Sequence, residues 1–141
     1  MKMRKIKAIG AAIATVAMAA ASVVAVSAPA QAAQYSGCSG TYRLCFFYSP
    51  SYAGASTNFS DGYMPDLISP TMYRWPNNGA GAGERVGNNA ASAQNRWGAG
   101  VSAIIYYSAN FGQPSVTIGP NGSVSNLGTL RNNNRSFRIT E

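Results

Sequence analysis

Apolar and polar positions in this chain change over in short runs, with no helical spacing. The runs are "TYRLCFFY" (41–48), "STNFS" (56–60), "VSAIIYY" (101–107), "SVTIG" (115–119), "SVSNL" (123–127) and "SFRIT" (136–140). Each is rich in β-branched or aromatic residues and is closed off by Gly, Pro, Asn or Ser. Short strands at such even spacing predict an all-β sandwich or barrel. "NNGAGAG" (77–83) reads as a flexible loop within that pattern, because strand-like runs resume on both sides of it.

The first 33 residues follow a different rule. Lys2, Arg4, Lys5 and Lys7 precede a small-residue apolar run that closes on Ala30-Gln31-Ala32. A basic front, an apolar stretch and an A-x-A site predict a secretory signal peptide over 1–33, cleaved after Ala32 or Ala33. The expected mature chain, 34–141, suits one domain. It is expected to be extracellular, with no membrane segment after cleavage.

Removing the leader changes the charge. The full chain carries a formal +7, but residues 34–141 hold seven arginines against four acids, a net of +3. The arginines are scattered from Arg43 to Arg138 without a basic block, so no nucleic-acid partner is expected. Cys38 and Cys45 lie in an exported chain, where a disulfide is the default state. A ring of this size contributes roughly 2.5 kcal/mol in chain-entropy terms. Two cysteines and no histidine supply too few ligands for zinc, and the C-x-x-C spacing of redox pairs is absent.

The chain also repeats itself. Phe47 lies five residues before Tyr52, and Tyr106 five before Phe111. Each aromatic pair is followed by Asn-Asn-x-x-Ser: Asn88, Asn89 and Ser92, then Asn132, Asn133 and Ser136. Aromatic-x4-aromatic-x-Gly followed by this stretch resembles the βγ-crystallin Greek-key motif. With the leader and the "GCSGTYRLCFFY" opening, the doubled motif resembles the secreted bacterial peptidase-inhibitor family of the Streptomyces metalloproteinase inhibitor type. The resemblance spans roughly residues 37–140. It implies a βγ-crystallin-like sandwich of two Greek keys, the first about 37–97 and the second about 98–141. It also implies a secreted, monomeric inhibitor whose partner is a protease, a metalloprotease first.

In that fold Gly54 supplies the left-handed turn of the first hairpin, and Ser92 bonds hairpin backbone that has left the ladder. The second hairpin has Gly112 one place early. The Asn-Asn-x-x-Ser stretches admit two readings. Crystallin-type calcium loops would use Asn88, Asn89 and Ser92, and Asn132, Asn133 and Ser136, as oxygen ligands. Neither stretch holds a carboxylate, Arg135 sits in the second, and the closing Ser of the pattern is Ala93 or Phe137. Calcium without anionic ligands binds weakly, so Asx turns and Ser staples are the expected roles. No other cofactor is implied.

No enzyme is expected. Histidine is absent, which removes the commonest general base. Asp61 and Asp66 read as exposed solubilising acids. Two binding functions compete with inhibition: a calcium-binding or structural module, and a carbohydrate- or cell-wall-binding antimicrobial or killer-toxin-like protein. The latter would stack sugars on Tyr73 and Trp75.

The inhibitory segment is expected from a length difference. Tyr52 to Asn88 is 36 residues, whereas Phe111 to Asn132 is 21. The excess falls within Gly62–Gly83, stiffened by Pro65, Pro70 and Pro76. Read as a surface loop, it offers Met64, Leu67, Ile68, Met72, Tyr73 and Trp75 as apolar anchors for a protease cleft. Read as a further strand pair, it covers the core.

Overall fold

The structure is a computed structural model that describes residues 34–41, 43–60, 62–68, 73–76 and 79–141. The expected leader (1–33), Asp61, Pro70 and Met72 lie outside the described residues. Among the described residues nine strands form: β1 (Gln34–Ser36), β2 (Arg43–Phe47), β3 (Ser56–Ser60), β4 (Tyr63–Met64), β5 (Ser92–Asn95), β6 (Ser102–Tyr106), β7 (Ser115–Ile118), β8 (Ser123–Val124) and β9 (Ser136–Thr140). They build two antiparallel sheets, ordered β1-β3-β2-β5-β8 and β4-β9-β6-β7.

The order shows how the two halves interlock. β2, β3 and β5 share a sheet, but β4, which lies between β3 and β5 in sequence, pairs with β9 of the other sheet. The second half mirrors this: β6, β7 and β9 share a sheet, while β8 crosses to pair with β5. Each Greek key thus donates its third strand to its neighbour's sheet, so neither sheet is complete without both halves.

Alternation along the strands places the core between the sheets. Leu44, Phe46, Phe59, Ala93, Met64, Ala103, Ile105, Ile118 and Phe137 are buried on the facing sides. Register explains the arrangement: Phe46 pairs with Ala93, and Ile105 with Phe137. A large ring is set beside a small or aliphatic side chain, which lets the layers interdigitate. Phe46, Phe59 and Phe137 form an aromatic triad across the layers, with centroids 6.0, 5.8 and 5.2 Å apart. Each such contact contributes about 0.5–1.5 kcal/mol beyond burial.

The expected run 56–60 is β3 and 136–140 is β9, residue for residue, while β2, β6, β7 and β8 fall within their expected runs. β5, "SAQN", is a strand with no β-branched or aromatic residue. It forms because Ala93 fits beneath Phe46 and its neighbours pair on both sides. The Cys38–Cys45 disulfide is formed, tying the segment after β1 to the middle of β2.

Candidate functional site

Two arches connect paired strands, β2 to β3 and β6 to β7. In the first, Phe47 and Tyr52 meet edge to face at 5.6 Å; in the second, Tyr106 and Phe111 do the same at 5.6 Å. Ser51, Tyr52, Asn110 and Phe111 all take left-handed backbone, with φ of 54°, 61°, 54° and 63°. Bulky residues adopt that region only when the surroundings hold them there. The holding group is the repeated serine. Ser92 Oγ accepts from the Tyr52 N–H at 3.0 Å and donates to the Ser49 carbonyl at 2.7 Å. Ser136 Oγ accepts from the Phe111 N–H at 3.1 Å and donates to the Ser108 carbonyl at 2.6 Å.

Gly54 is left-handed as expected, at φ 79°. It acts with Ser51 and Tyr52, not alone. Gly112 has φ −78°, so it does not play the part of Gly54. The second arch forms nonetheless, because Asn110 and Phe111 carry its left-handed pair.

The asparagine loops lock the two halves together. Asn88 and Asn132 are both left-handed, at φ 62° and 57°. The Asn88 N–H donates to the Asn134 carbonyl at 2.7 Å, and the Asn132 N–H donates to the Ala90 carbonyl at 2.9 Å. Positions 90 and 134 match by offset, so the exchange is reciprocal. Asn134, fully buried, adds a side-chain clasp: its Oδ1 accepts from the Ala90 N–H at 2.9 Å and its Nδ2 donates to the Val86 carbonyl at 3.3 Å. Sequence reading passed over Asn134. Its only signal was a third asparagine where the first copy has Ala90.

These loops fit calcium poorly. Ser92 and Ser136 are buried and spend their hydroxyls on the arches. The carbonyls of Ala90 and Asn134 already accept backbone N–H groups. Ala93 and Phe137 stand in the core where the pattern's closing Ser would be. The carboxylate that reaches the second loop, Asp66, is held bidentately by Arg135 at 3.1 and 3.0 Å. Asn88 Oδ1 is a buried oxygen without a hydrogen-bond partner among the described residues. One neutral amide oxygen does not make a calcium site. Among the described residues no group of three or more His, Cys, Asp or Glu could hold a metal.

The segment expected to form an exposed inhibitory loop puts three of its six apolar candidates in the core. Met64, Leu67 and Trp75 are buried, at 0, 0 and 1% exposure, so they cannot anchor in a partner. Met64 lies in β4, opposite Phe137. Trp75 packs edge to face with Tyr48 at 6.1 Å, and its indole N–H has no acceptor among the described residues. Tyr73, half-buried, sits on Phe59 at 5.4 Å. That removes Tyr73 and Trp75 as an open sugar platform. The strand-pair reading holds for the second part of the segment. The bonds from the Trp75 N–H to the Glu84 carbonyl and from the Val86 N–H to the Tyr73 carbonyl make a hairpin over the core. Between its arms Gly81 is close-packed: a Cβ there, at φ 86°, would overlap the Tyr48 ring. Of the six candidates, Ile68 and Tyr73 keep partial exposure and Met72 is outside the described residues.

Asp66 is not a solubilising surface acid. Besides its Arg135 pair it accepts from the Ile68 N–H at 2.9 Å. The Leu67 N–H donates to the Arg135 carbonyl at 2.7 Å, and the Asn110 N–H to the Pro65 carbonyl at 2.7 Å. Residues 65–68 are therefore strapped onto the second half. The carboxylate raises the Arg135 guanidinium above its ordinary value, chiefly through their hydrogen bond and then through Coulombic attraction.

No protein-family model matches the chain, and no curated protein does. Solved structures do. A βγ-crystallin domain from work on the evolution of the eye-lens fold matches with a TM-score of 0.57 and 15% identity, covering 77% of this chain and 97% of that one. A Clostridium beijerinckii βγ-crystallin domain matches at 0.52 and 18%, covering 70% and 97%. Protein S, solved in complex with calcium, matches at 0.53 and 19%, covering 72% of this chain and 50% of that one. At such identities the likeness concerns architecture. With the exchanged third strands and the paired serine staples, it establishes that this chain has the βγ-crystallin domain fold.

Proposed function

We propose that the protein is a secreted, monomeric binding module that inhibits a protease, a metalloprotease first, through Ile68 and Tyr73. The observation that carries this reading is that Ile68 and Tyr73 are half-exposed beside firmly held neighbours. On one side Leu67 is buried and Asp66 is clamped by Arg135. On the other, Tyr73 rests on Phe59 and Trp75 is buried. Anchors whose chain neighbours are held in place lose little conformational freedom on docking, which favours binding over flexible engagement. Ile68 and Tyr73 replace the wider set of anchors expected from sequence. The absence of histidine and the engagement of Asp66 in an ion pair argue for binding over catalysis. The test is a panel of metallo- and serine proteases assayed with micromolar protein. Inhibition of at least one, with the chain recovered intact, is expected; uniform digestion without inhibition rejects the reading.

A calcium-responsive structural module is the second reading. Protein S, which shares the fold, is a calcium complex, and Asn88 Oδ1 is the buried, unpartnered oxygen that favours it here. Calorimetry with calcium separates the two.

A further inference from the structure

The hairpin over the core carries an unusual pair. Arg74 faces Arg85 across an antiparallel bridge. The backbone bonds from Val86 N–H to Tyr73 C=O, at 2.8 Å, and from Trp75 N–H to Glu84 C=O, at 2.9 Å, flank the bridge. That makes it a non-hydrogen-bonded pair, the kind that brings facing side chains closest. Like charges directly opposite destabilise a strand pair. Both arginines are exposed, and no carboxylate among the described residues lies within ion-pair distance of either.

Arg74, Glu84, Arg85 and Asn89 line a shallow, open cleft of about 360 Å³. Arg74 Nη1 donates to the Gly83 carbonyl at 2.9 Å, which holds the guanidinium over the hairpin. Asn89 Nδ2 donates to the Arg85 carbonyl at 2.9 Å, fixing the amide at the rim. Glu84 accepts from the Tyr48 hydroxyl, with both carboxylate oxygens at 3.3 Å. Two guanidinium groups against one carboxylate leave the cleft cationic.

We propose that this cleft binds a phosphoryl dianion, gripped by Arg74 and Arg85 from the two strands. Guanidinium presents a planar fork of donors that matches phosphate oxygens. A doubly charged anion between the arginines converts their repulsion into two attractions, which accounts for a pair that serves the hairpin badly when empty. The site is independent of the protease reading and uses none of its residues.

The test is an amide-resolved NMR titration of the protein at low ionic strength, with inorganic phosphate and with glucose 6-phosphate. Shifts should centre on Gly83, Glu84 and Arg85. Arg74→Gln and Arg85→Gln should each weaken binding at least about tenfold, and Arg85→Lys should bind between Gln and the parent. Arg131→Gln, which removes an exposed arginine outside the hairpin, should leave affinity unchanged. Equal affinity for the two ligands indicates the free anion as the source, and tighter binding of the ester indicates a phosphorylated organic ligand; each sustains the proposal. Because both arginines are exposed, the Gln variants should melt at or above the parent's temperature. No shift at these amides with millimolar phosphate, or equal weakening by Arg131→Gln and Arg85→Gln, overturns it.

Discussion

Replacing Ser92 by Ala removes one oxygen and breaks two bonds at once. The Tyr52 N–H loses its acceptor at 3.0 Å and the Ser49 carbonyl loses its donor at 2.7 Å. A net protein hydrogen bond contributes about 1 kcal/mol, and a group left unpaired costs about 1–3 kcal/mol when buried. Tyr52 and Ser49 are half-buried, so water recovers part of that loss. The expected cost is about 2 kcal/mol, which lowers the melting temperature of a domain this size by about 10 °C. Ser136→Ala breaks the matching bonds to Phe111 and Ser108 and should cost the same. The two staples share no partner, so the double variant should lose the sum, about 4 kcal/mol. Urea unfolding followed by tryptophan fluorescence gives all three values. Costs below about 0.5 kcal/mol for either single variant would refute the claim that these hydroxyls hold the left-handed arches.

Other expectations follow from separate parts of the fold. Calorimetric titration with calcium should show dissociation no tighter than about millimolar, unchanged by Asn89→Ala or Asn133→Ala; a micromolar value lost in these variants would contradict the bonding described for the loops. Reducing the Cys38–Cys45 bridge should lower stability by about 2.5 kcal/mol without changing the fold, read by urea unfolding with and without reductant. The Tyr48 phenol is raised above its ordinary value, first by Coulombic repulsion from Glu84 and then by burial and the hydrogen bond to Glu84. The protonated phenol's contact is fully present below that value and is lost as pH rises through the higher folded one. Stability should therefore fall above about pH 10, and Glu84→Gln should bring the phenol's titration, read by ultraviolet absorbance, back toward its ordinary range.

Much of the fold was legible because its signals are local. The strands of the six apolar runs announce themselves through β-branched and aromatic residues, and the serine staples through a repeated offset. What escaped depends on distant partners. β4 has two residues and exists only because the opposite half offers an edge. β5 is a strand because Ala93 must pass beneath Phe46, a packing demand that propensity does not express. The segment 62–76 has the prolines and surplus length of a surface loop. Met64, Leu67 and Trp75 nevertheless fill the core, and the Asp66–Arg135 pair that straps it down joins residues 69 apart. A length excess identifies an insertion; it does not tell which side of the insertion meets water.

Docking through Ile68 and Tyr73 is the central claim, and a paired inhibition titration tests it directly. Ile68 is half-buried against Gly87, so Ile68→Ser should fold with a melting temperature close to the parent's. Leu67→Ser and Trp75→Ser, which place polar groups or voids in the core, should unfold easily. Against a protease inhibited by the parent, the account predicts that Ile68→Ser weakens inhibition at least about tenfold, the loss of one anchored apolar contact, while the domain stays folded. Equal inhibition by parent and Ile68→Ser, with both folded, would contradict it.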